Sequence, residues 1–427
     1  MQQKTQHQPP PRIPKKPKRR GPEPLALHLA LAGRMWLNWP ELWLRLRHKS
    51  PGSSGNWNEK LSQRAASLQN SAAKLNPDRL AAALALEGIN RYRHYLDGVT
   101  AYCRQDGTRD LPDCSIIAQE GTTKLLDYGC KNAAPIVLVI PSFINRYHVL
   151  DLDQDRSFLR WLRDQGIRPI LVDWAVPGKI EAGMTVADYV ARLQKMLQHA
   201  RQIAGGEKIH LLGHCIGGTL ALALAAANPD AFRSIILLST PWDFHRGNTA
   251  LGKNAAELWK NIAPNWPQHE PIPASFIQAL FTVLQPAEVT EKFRKLGMNP
   301  QRDPAKMRRF TLVEDWLNDG VPVVRAVAAE IIEDWYGANL PGKGKWRVGD
   351  IAVKPRKIRA PVLVAVPDHD RIVPPASAAA LAGQLPNAQE WHVPLGHIGM
   401  IVSGRARKLV WQPVADWIKN HHKDTAA

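Results

Sequence analysis

Cysteine is scarce in this sequence, with four in 427 residues, at Cys103, Cys114, Cys130 and Cys215, and no C-x-x-C pair among them. That scarcity excludes a disulfide-stapled secreted scaffold and a cysteine-based metal site, so no metal is expected and a reducing cytoplasm is the expected location. Long apolar runs are also lacking. The best membrane candidate, residues 25–46, is interrupted by His28, Arg34, Asn38, Pro40, Glu41 and Arg45, so no transmembrane segment and no signal peptide are expected. Acidic residues are under-represented, at 38 Asp and Glu against 56 Lys and Arg, for a formal net charge of +18. This excess favours anionic partners. No dinucleotide or P-loop glycine spacing and no base-reading module accompanies it, so a nucleic-acid partner is not expected.

What is present supports a large folded body, since 44% of the residues are hydrophobic. Residues 1–24 read as a disordered basic, Pro-rich tail, because proline blocks pairing and like charges repel. Residues 25–75 read as an amphipathic helix carrying Trp36, Trp39 and Trp43 on one face, followed by a linker at residues 51–55. The helix face calls for a cover, either the body of the protein or an apolar surface. From residue 76 to 427 short aliphatic runs alternate with helical patterns, the signature of a mainly parallel sheet flanked by helices. Strands are expected near 136–140, 168–172, 208–212, 234–238, 361–366 and 389–393. Helices are expected near 157–165, 186–204, 216–227, 376–383 and within 408–421. Between residues 241 and 358 helical periodicity and tryptophans persist without a core strand, which predicts a helical cap inserted into the sheet domain.

The strongest chemical signal is the run Ile209-His210-Leu211-Leu212-Gly213-His214-Cys215-Ile216-Gly217-Gly218-Thr219. An apolar strand here enters a glycine-flanked turn and leaves as an Ala/Leu helix, the nucleophile-elbow pattern with Cys215 in the nucleophile position. The helix start behind Cys215 offers free N–H groups and a positive dipole end, which favour a thiolate and a developing oxyanion. An orienting acid and a base should follow in that order. After the strand at 361–366 comes Pro367-Asp368-His369-Asp370-Arg371-Ile372-Val373-Pro374, which offers Asp370 or Asp368 as the acid. After the next strand comes Pro394-Leu395-Gly396-His397-Ile398, which offers His397 as the base. His214 and His369 read as packing or surface residues. Oxyanion donors are expected from the N–H of Ile216 and from the loop Pro141-Ser142-Phe143-Ile144-Asn145, by way of Ser142 or Phe143.

With these residues in place the sequence resembles the polyhydroxyalkanoate synthases. The resemblance rests on residues 141–152 (PSFINRYHVLDL), on Gly213 to Thr219, on Asp370-Arg371-Ile372-Val373-Pro374 and on Gly396-His397-Ile398. It covers most of residues 115–240 and 360–420. The family usually has an aromatic residue where His214 stands, and its Trp-Asn-x-Asp-x-Thr run is missing from the cap, the nearest text being residues 314–319. The resemblance implies an α/β-hydrolase fold with Cys215 as acyl-carrying nucleophile, His397 as general base and Asp370 as triad acid. It implies a hydroxyacyl-coenzyme A thioester as substrate, no bound cofactor, and a polyester as product. It further implies a cytoplasmic enzyme associated with a polyester granule surface, with a homodimer or accessory subunit as partner. Two other readings suit the same residues: a cysteine-based hydrolase, either a thioesterase or an intracellular polyester depolymerase, and a non-catalytic granule-surface protein.

Overall fold

The computed structural model describes residues 19–47, 59–129, 135–247, 249–284, 286–299 and 303–423. The linker expected at 51–55, Cys130 and most of the expected basic tail lie outside these residues. Among the described residues ten strands follow in chain order: β1 (Ser115–Glu120), β2 (Thr123–Asp127), β3 (Ile136–Ile140), β4 (Arg168–Asp173), β5 (Ile209–His214), β6 (Phe232–Leu238), β7 (Arg347–Val348), β8 (Ile351–Ala352), β9 (Val362–Pro367) and β10 (Ala388–Val393). Eight of them form one sheet in the order β1-β2-β4-β3-β5-β6-β9-β10, and β7 with β8 forms a separate two-residue ribbon. From β4 to β10 every pairing is parallel, whereas β1 and β2 pair antiparallel with each other and β2 with β4. The six strands read from the sequence are all present. The β1–β2 hairpin was not foreseen, because its exposed face is too polar to mark a core strand.

The central strands are buried along their whole length: β3, β5 and β9 have no exposed residue. Such continuous apolar runs suit a sheet covered on both faces. One face packs under the helices Val186–Ile203 and Ile216–Ala227 through Leu193, Leu197, Leu220 and Leu224. The other packs under Phe158–Asp164 and Gln412–Lys423 through Leu159, Leu162, Val414 and Ile418. A capping box starts the helix Val186–Ile203, where the Thr185 hydroxyl accepts from the Asp188 N–H and the Asp188 carboxylate accepts from the Thr185 N–H.

The chain divides into two units, residues 1–106 with 286–304, and residues 107–285 with 305–427. The first is helical, built from Leu25–Trp36, Trp39–Arg47, Glu59–Ala72, Pro77–Cys103 and Pro286–Met298. Two corrections to the sequence reading follow. The Trp-bearing segment is two helices rather than one, with Trp36 buried and Trp39 and Trp43 half-buried. The helix Pro286–Met298, expected in the cap, belongs with Pro77–Cys103: a Cβ on Gly98 would lie 1.9 Å from the Phe293 carbonyl, and one on Gly297 would lie 1.8 Å from that of His94. Only glycine permits that approach. Among the described residues no helix is long and apolar enough to cross a membrane.

The rest of the expected cap stays in the second unit, as the helices Thr249–Ile262, Ala274–Leu284, Pro304–Asn318 and Arg325–Glu330 and a π-helical turn, Ile331–Gly337. An aromatic knot ties it to the end of β6. Trp335 meets Trp346 at 5.1 Å, Trp242 meets Trp346 at 6.1 Å, and Phe244 meets Tyr336 at 4.9 Å between ring centroids. Trp242, Trp335 and Trp346 are all buried.

Candidate active site

At the C-terminal end of β5 the chain turns through Cys215 with φ 56 and ψ −133 and enters the helix Ile216–Ala227. A positive φ is costly for a side-chain-bearing residue and marks a position that the surroundings hold in place. The holding is visible in the ladder: the Cys215 N–H donates to the Leu238 carbonyl of β6 at 2.9 Å, and the Gly218 N–H to the Cys215 carbonyl at 2.9 Å. The flanking glycines are required by space. A Cβ on Gly213 would lie 2.4 Å from the Gly218 Cα, and one on Gly217 would lie 2.3 Å from the Ile140 carbonyl oxygen and 2.4 Å from that of Pro141. Gly217 thus lets the helix start press against the end of β3, bringing Ile216 toward the loop that carries Ser142 and Phe143. Ile216 is the first residue of its helix, so its N–H has no intrahelical acceptor. The Ser142 hydroxyl accepts from the Ile144 N–H at 3.2 Å. Phe143 buries its ring against Trp174 and Tyr189.

From the loops after β9 and β10 come Asp370 and His397, both buried. His397 Nδ1 lies 2.7 Å from Asp370 Oδ2. Asp370 Oδ1 accepts from the N–H groups of Ile372 and Val373, each at 2.8 Å. Burial opposes the Asp370 charge, but the neighbouring imidazolium and the donors from His397, Ser239 and Val373 outweigh it and hold the carboxyl below its ordinary range. Burial likewise opposes the charge on His397. The negative charges of Cys215 and Asp370 and hydrogen bonds to both push it up to about 10. The sequence had left Asp368 as an alternative acid. The structure places it on the surface, with Oδ1 2.7 Å from the exposed His392, and does not bring it to His397. His369 is exposed.

His214 is buried, its ring centroid 5.5 Å from that of His397. Burial, then the charge on His397, lower it to about 3, so it stays neutral. Cys215 itself is half-buried rather than sealed.

Several residues here escaped the sequence reading. Ser239, the residue after β6, joins the Asp370–His397 pair through its hydroxyl, 2.7 Å from His397 Nδ1 and in a short hydrogen bond with Asp370 Oδ2. A serine past a strand is too common a feature to single it out. Tyr336, on the π-helical turn, lies within electrostatic range of the sulfur: burial and then the charge of Cys215 push its phenol up to about 12. Such turns concentrate at functional sites, but their register is invisible in sequence. The cap also grips the loop after β3 that carries Ser142 and Phe143. The Val321 N–H donates to the Ile144 carbonyl at 2.9 Å, Trp316 Nε1 donates to the Arg146 carbonyl at 2.7 Å, and Arg146 pairs with Asp319 at 2.8 Å. A small crevice opens beside this grip, lined by Ser142, Asn145, Tyr147, Asp173, Trp174 and Val321 among others. Among the described residues no cluster of three or more His, Cys, Asp or Glu side chains could hold a metal ion.

Residues 135–402 match the sequence profile of the alpha/beta hydrolase fold. The chain is 27% identical over 309 residues to the poly(3-hydroxyalkanoate) polymerase subunit PhaC of Haloferax mediterranei, covering 71% of this chain and 63% of that one. It is 29% identical over 294 residues to the subunit of the same name from Allochromatium vinosum, covering 68% of this chain and 82% of the relative. For the Synechocystis sp. subunit the identity is 29% over 303 residues, covering 67% and 79%. Among solved structures, a thermostable carboxyl esterase of Bacillus coagulans superposes with a TM-score of 0.51 at 12% identity, covering 73% of this chain and 99% of that one. At that identity the likeness concerns the fold alone.

Proposed function

We propose, for a chain that belongs to the α/β-hydrolase fold family and resembles the polyhydroxyalkanoate synthases over about two thirds of its length, that it is an acyltransferase extending a polyester from (R)-3-hydroxyacyl-coenzyme A. The observation that carries this reading is the convergence, at the C-terminal ends of the strands, of Cys215 on a strained elbow and a buried His397 that feels its charge and lies 2.7 Å from Asp370. The thiolate is the nucleophilic form of a cysteine, and His397 is the group proposed to exchange protons there.

The thiolate of Cys215 attacks the thioester carbonyl carbon. The resulting oxyanion takes N–H donors from Ile216 and from Ser142 or Phe143. Collapse expels coenzyme A as a thiolate that takes the proton from His397, leaving an acyl-Cys215 thioester and a neutral imidazole. Exchange of one thioester for another is nearly isoenergetic, so the acyl group stays activated. The 3-hydroxyl of a second hydroxyacyl chain then gives its proton to His397 as its oxygen attacks the acyl-Cys215 carbonyl. An ester forms, the Cys215 thiolate leaves with His397 again protonated beside it, and the lengthened acyl-coenzyme A thioester then reloads Cys215 for the next round. Asp370 holds the imidazole in the tautomer with the proton on Nδ1, leaving Nε2 for the transfers. Water in place of the second hydroxyl would end the chain as free acid.

Partners follow the same reading. The first unit carries exposed Leu42 and Leu44 on its second helix and exposed Leu37 just before it, and residues 1–106 hold 18 Lys and Arg against seven Asp and Glu. A basic surface with exposed leucines suits a granule coated with anionic amphiphile, in the cytoplasm where its substrate is made.

Intact-mass analysis after brief exposure to 3-hydroxybutyryl-coenzyme A tests the reading. A mass gain on the Cys215 peptide growing in steps of one hydroxybutyryl unit is expected, and C215A should show neither adduct nor coenzyme A release. A single-unit adduct discharged to free 3-hydroxybutyrate would replace the synthase with a hydrolase. Turnover persisting in C215A would remove the covalent mechanism.

A further inference from the structure

Cys215 and Ser239 occupy equivalent places on adjacent strands. Each is the residue at the C-terminal rim of its strand, β5 and β6, and each has the left-handed backbone that side-chain-bearing residues avoid, φ 56 and φ 50. Each is also locked there by the next strand. The Cys215 N–H donates to the Leu238 carbonyl at 2.9 Å, and the Ser239 N–H donates to the Ala365 carbonyl of β9 at 3.0 Å. Strain held by a sheet at two neighbouring positions beside a reactive group is seldom accidental. At Cys215 the turn serves to expose the sulfur. At Ser239 it turns a fully buried hydroxyl toward the contact between Asp370 and His397.

We propose that Ser239 is a positioning residue for the acyl-transfer reaction, fixing the Nδ1 proton of His397 and the ionised state of Asp370 through a hydroxyl shared between them. The proton count admits one arrangement. Asp370, ionised, only accepts, and His397 Nδ1–H only donates. The Ser239 hydroxyl therefore donates to Asp370 Oδ2 and offers a lone pair to the His397 Nδ1 proton, which is divided between two oxygens. With Ile372 and Val373 on Oδ1, the carboxylate then has four donors and no free rotation. The imidazole plane is fixed at two points instead of one, which leaves Nε2 for both proton transfers. The other titratable groups around this cluster are Cys215 and His214, and His214 is neutral.

This assignment rests on the acyltransferase reading, and the test separates the two. Ser239→Ala removes the hydroxyl and keeps the strain. Ser239→Gly removes the hydroxyl and relieves the strain, since glycine tolerates positive φ. The measurements are coenzyme A release from 3-hydroxybutyryl-coenzyme A, its pH profile and the melting temperature. Both variants should lose kcat by between about 10- and 100-fold, with KM within about twofold, because the imidazole is misaimed while the substrate site is untouched. Removing one donor from Asp370 makes its carboxyl more basic, so the acid-side fall of kcat/KM should begin at higher pH in both. Ser239→Gly should be at least as stable as Ser239→Ala. A well-folded Ser239→Gly with wild-type kcat and pH profile would reduce Ser239 to packing and overturn the proposal. Absence of coenzyme A release from the unmodified protein would instead fail the acyltransferase reading.

Discussion

Replacing Gly217 by alanine should separate the oxyanion donors of this site while sparing its sulfur. The added Cβ would lie 2.3 Å from the Ile140 carbonyl oxygen, 2.4 Å from that of Pro141 and 2.6 Å from the Pro141 carbonyl carbon. Ordinary contact begins near 3.4 Å, so a gap of roughly 1 Å must open, and the atoms in the way are backbone that cannot swing aside. The two segments forced apart are the first turn of the helix Ile216–Ala227 and residues 140–141, which lead into the proposed donors at Ile216 and at Ser142 or Phe143. A hydrogen bond of ordinary length stretched by about 1 Å is lost. Loss of one such donor costs on the order of 100- to 1,000-fold in kcat. Coenzyme A release from 3-hydroxybutyryl-coenzyme A measures this directly, while alkylation of Cys215 by iodoacetamide, which builds no oxyanion, should slow far less. Gly218→Ala is the control. Its Cβ would strike the Thr240 side chain, with Oγ1 at 1.9 Å, so it should lower the melting temperature without singling out the oxyanion step. A folded Gly217→Ala enzyme with kcat within threefold of wild type would refute the argument.

Acid should weaken the fold through its buried imidazoles. His210 and His214 are both lowered to about 3, in each case chiefly by burial. Each therefore stabilises the fold fully above the unfolded value of 6.5 and loses that contribution as pH falls from 6.5 toward 3. At pH 4.5 the loss is roughly 3 kcal/mol per residue, and denaturant midpoints between pH 7 and 4.5 would show it. His397, shifted the other way to about 10, stabilises below 6.5 and loses its contribution as pH climbs from 6.5 through 10. Asp151→Asn should lower the melting temperature markedly, by the equivalent of about 3 kcal/mol. The buried Asp151 carboxylate holds Arg109 at 2.6 Å, Arg160 at 2.9 Å and the Tyr128 hydroxyl at 3.1 Å; calorimetry is the check. Leu42→Glu with Leu44→Glu should reduce co-sedimentation with amphiphile-coated polyester particles and leave coenzyme A release in solution unchanged. Equal sedimentation would remove these helices from the proposed granule contact.

The elbow was legible because its causes are local. An apolar strand, two glycines that admit a sharp turn and an Ala/Leu helix stand together within nineteen residues, 209–227, and no distant contact is needed to read them. The parallel strands were legible for a similar reason, since burial on both faces writes an unbroken aliphatic run. Asp370 and His397 were read from chain order at the expected strand ends, and the family resemblance favoured Asp370 over Asp368, but the residues alone left both open and only the structure shows which carboxylate lies beside the imidazole. Two residues apart on one loop, one carboxylate turns inward to the imidazole and the other outward to His392.

What only the tertiary structure decided depends on approach between distant segments. Ser239 means nothing until β6 lies beside β9 and its hydroxyl meets residues 131 and 158 positions away. Nor does sequence periodicity show that the helix Pro286–Met298 leaves the cap to pack on Pro77–Cys103, because Gly98 and Gly297 are separated by nearly two hundred residues. Turn sterics and burial patterns act along the chain and leave their mark in neighbouring letters. Hydrogen-bond triangles and helix pairings act across it, and their letters acquire a meaning only once folding has brought them together.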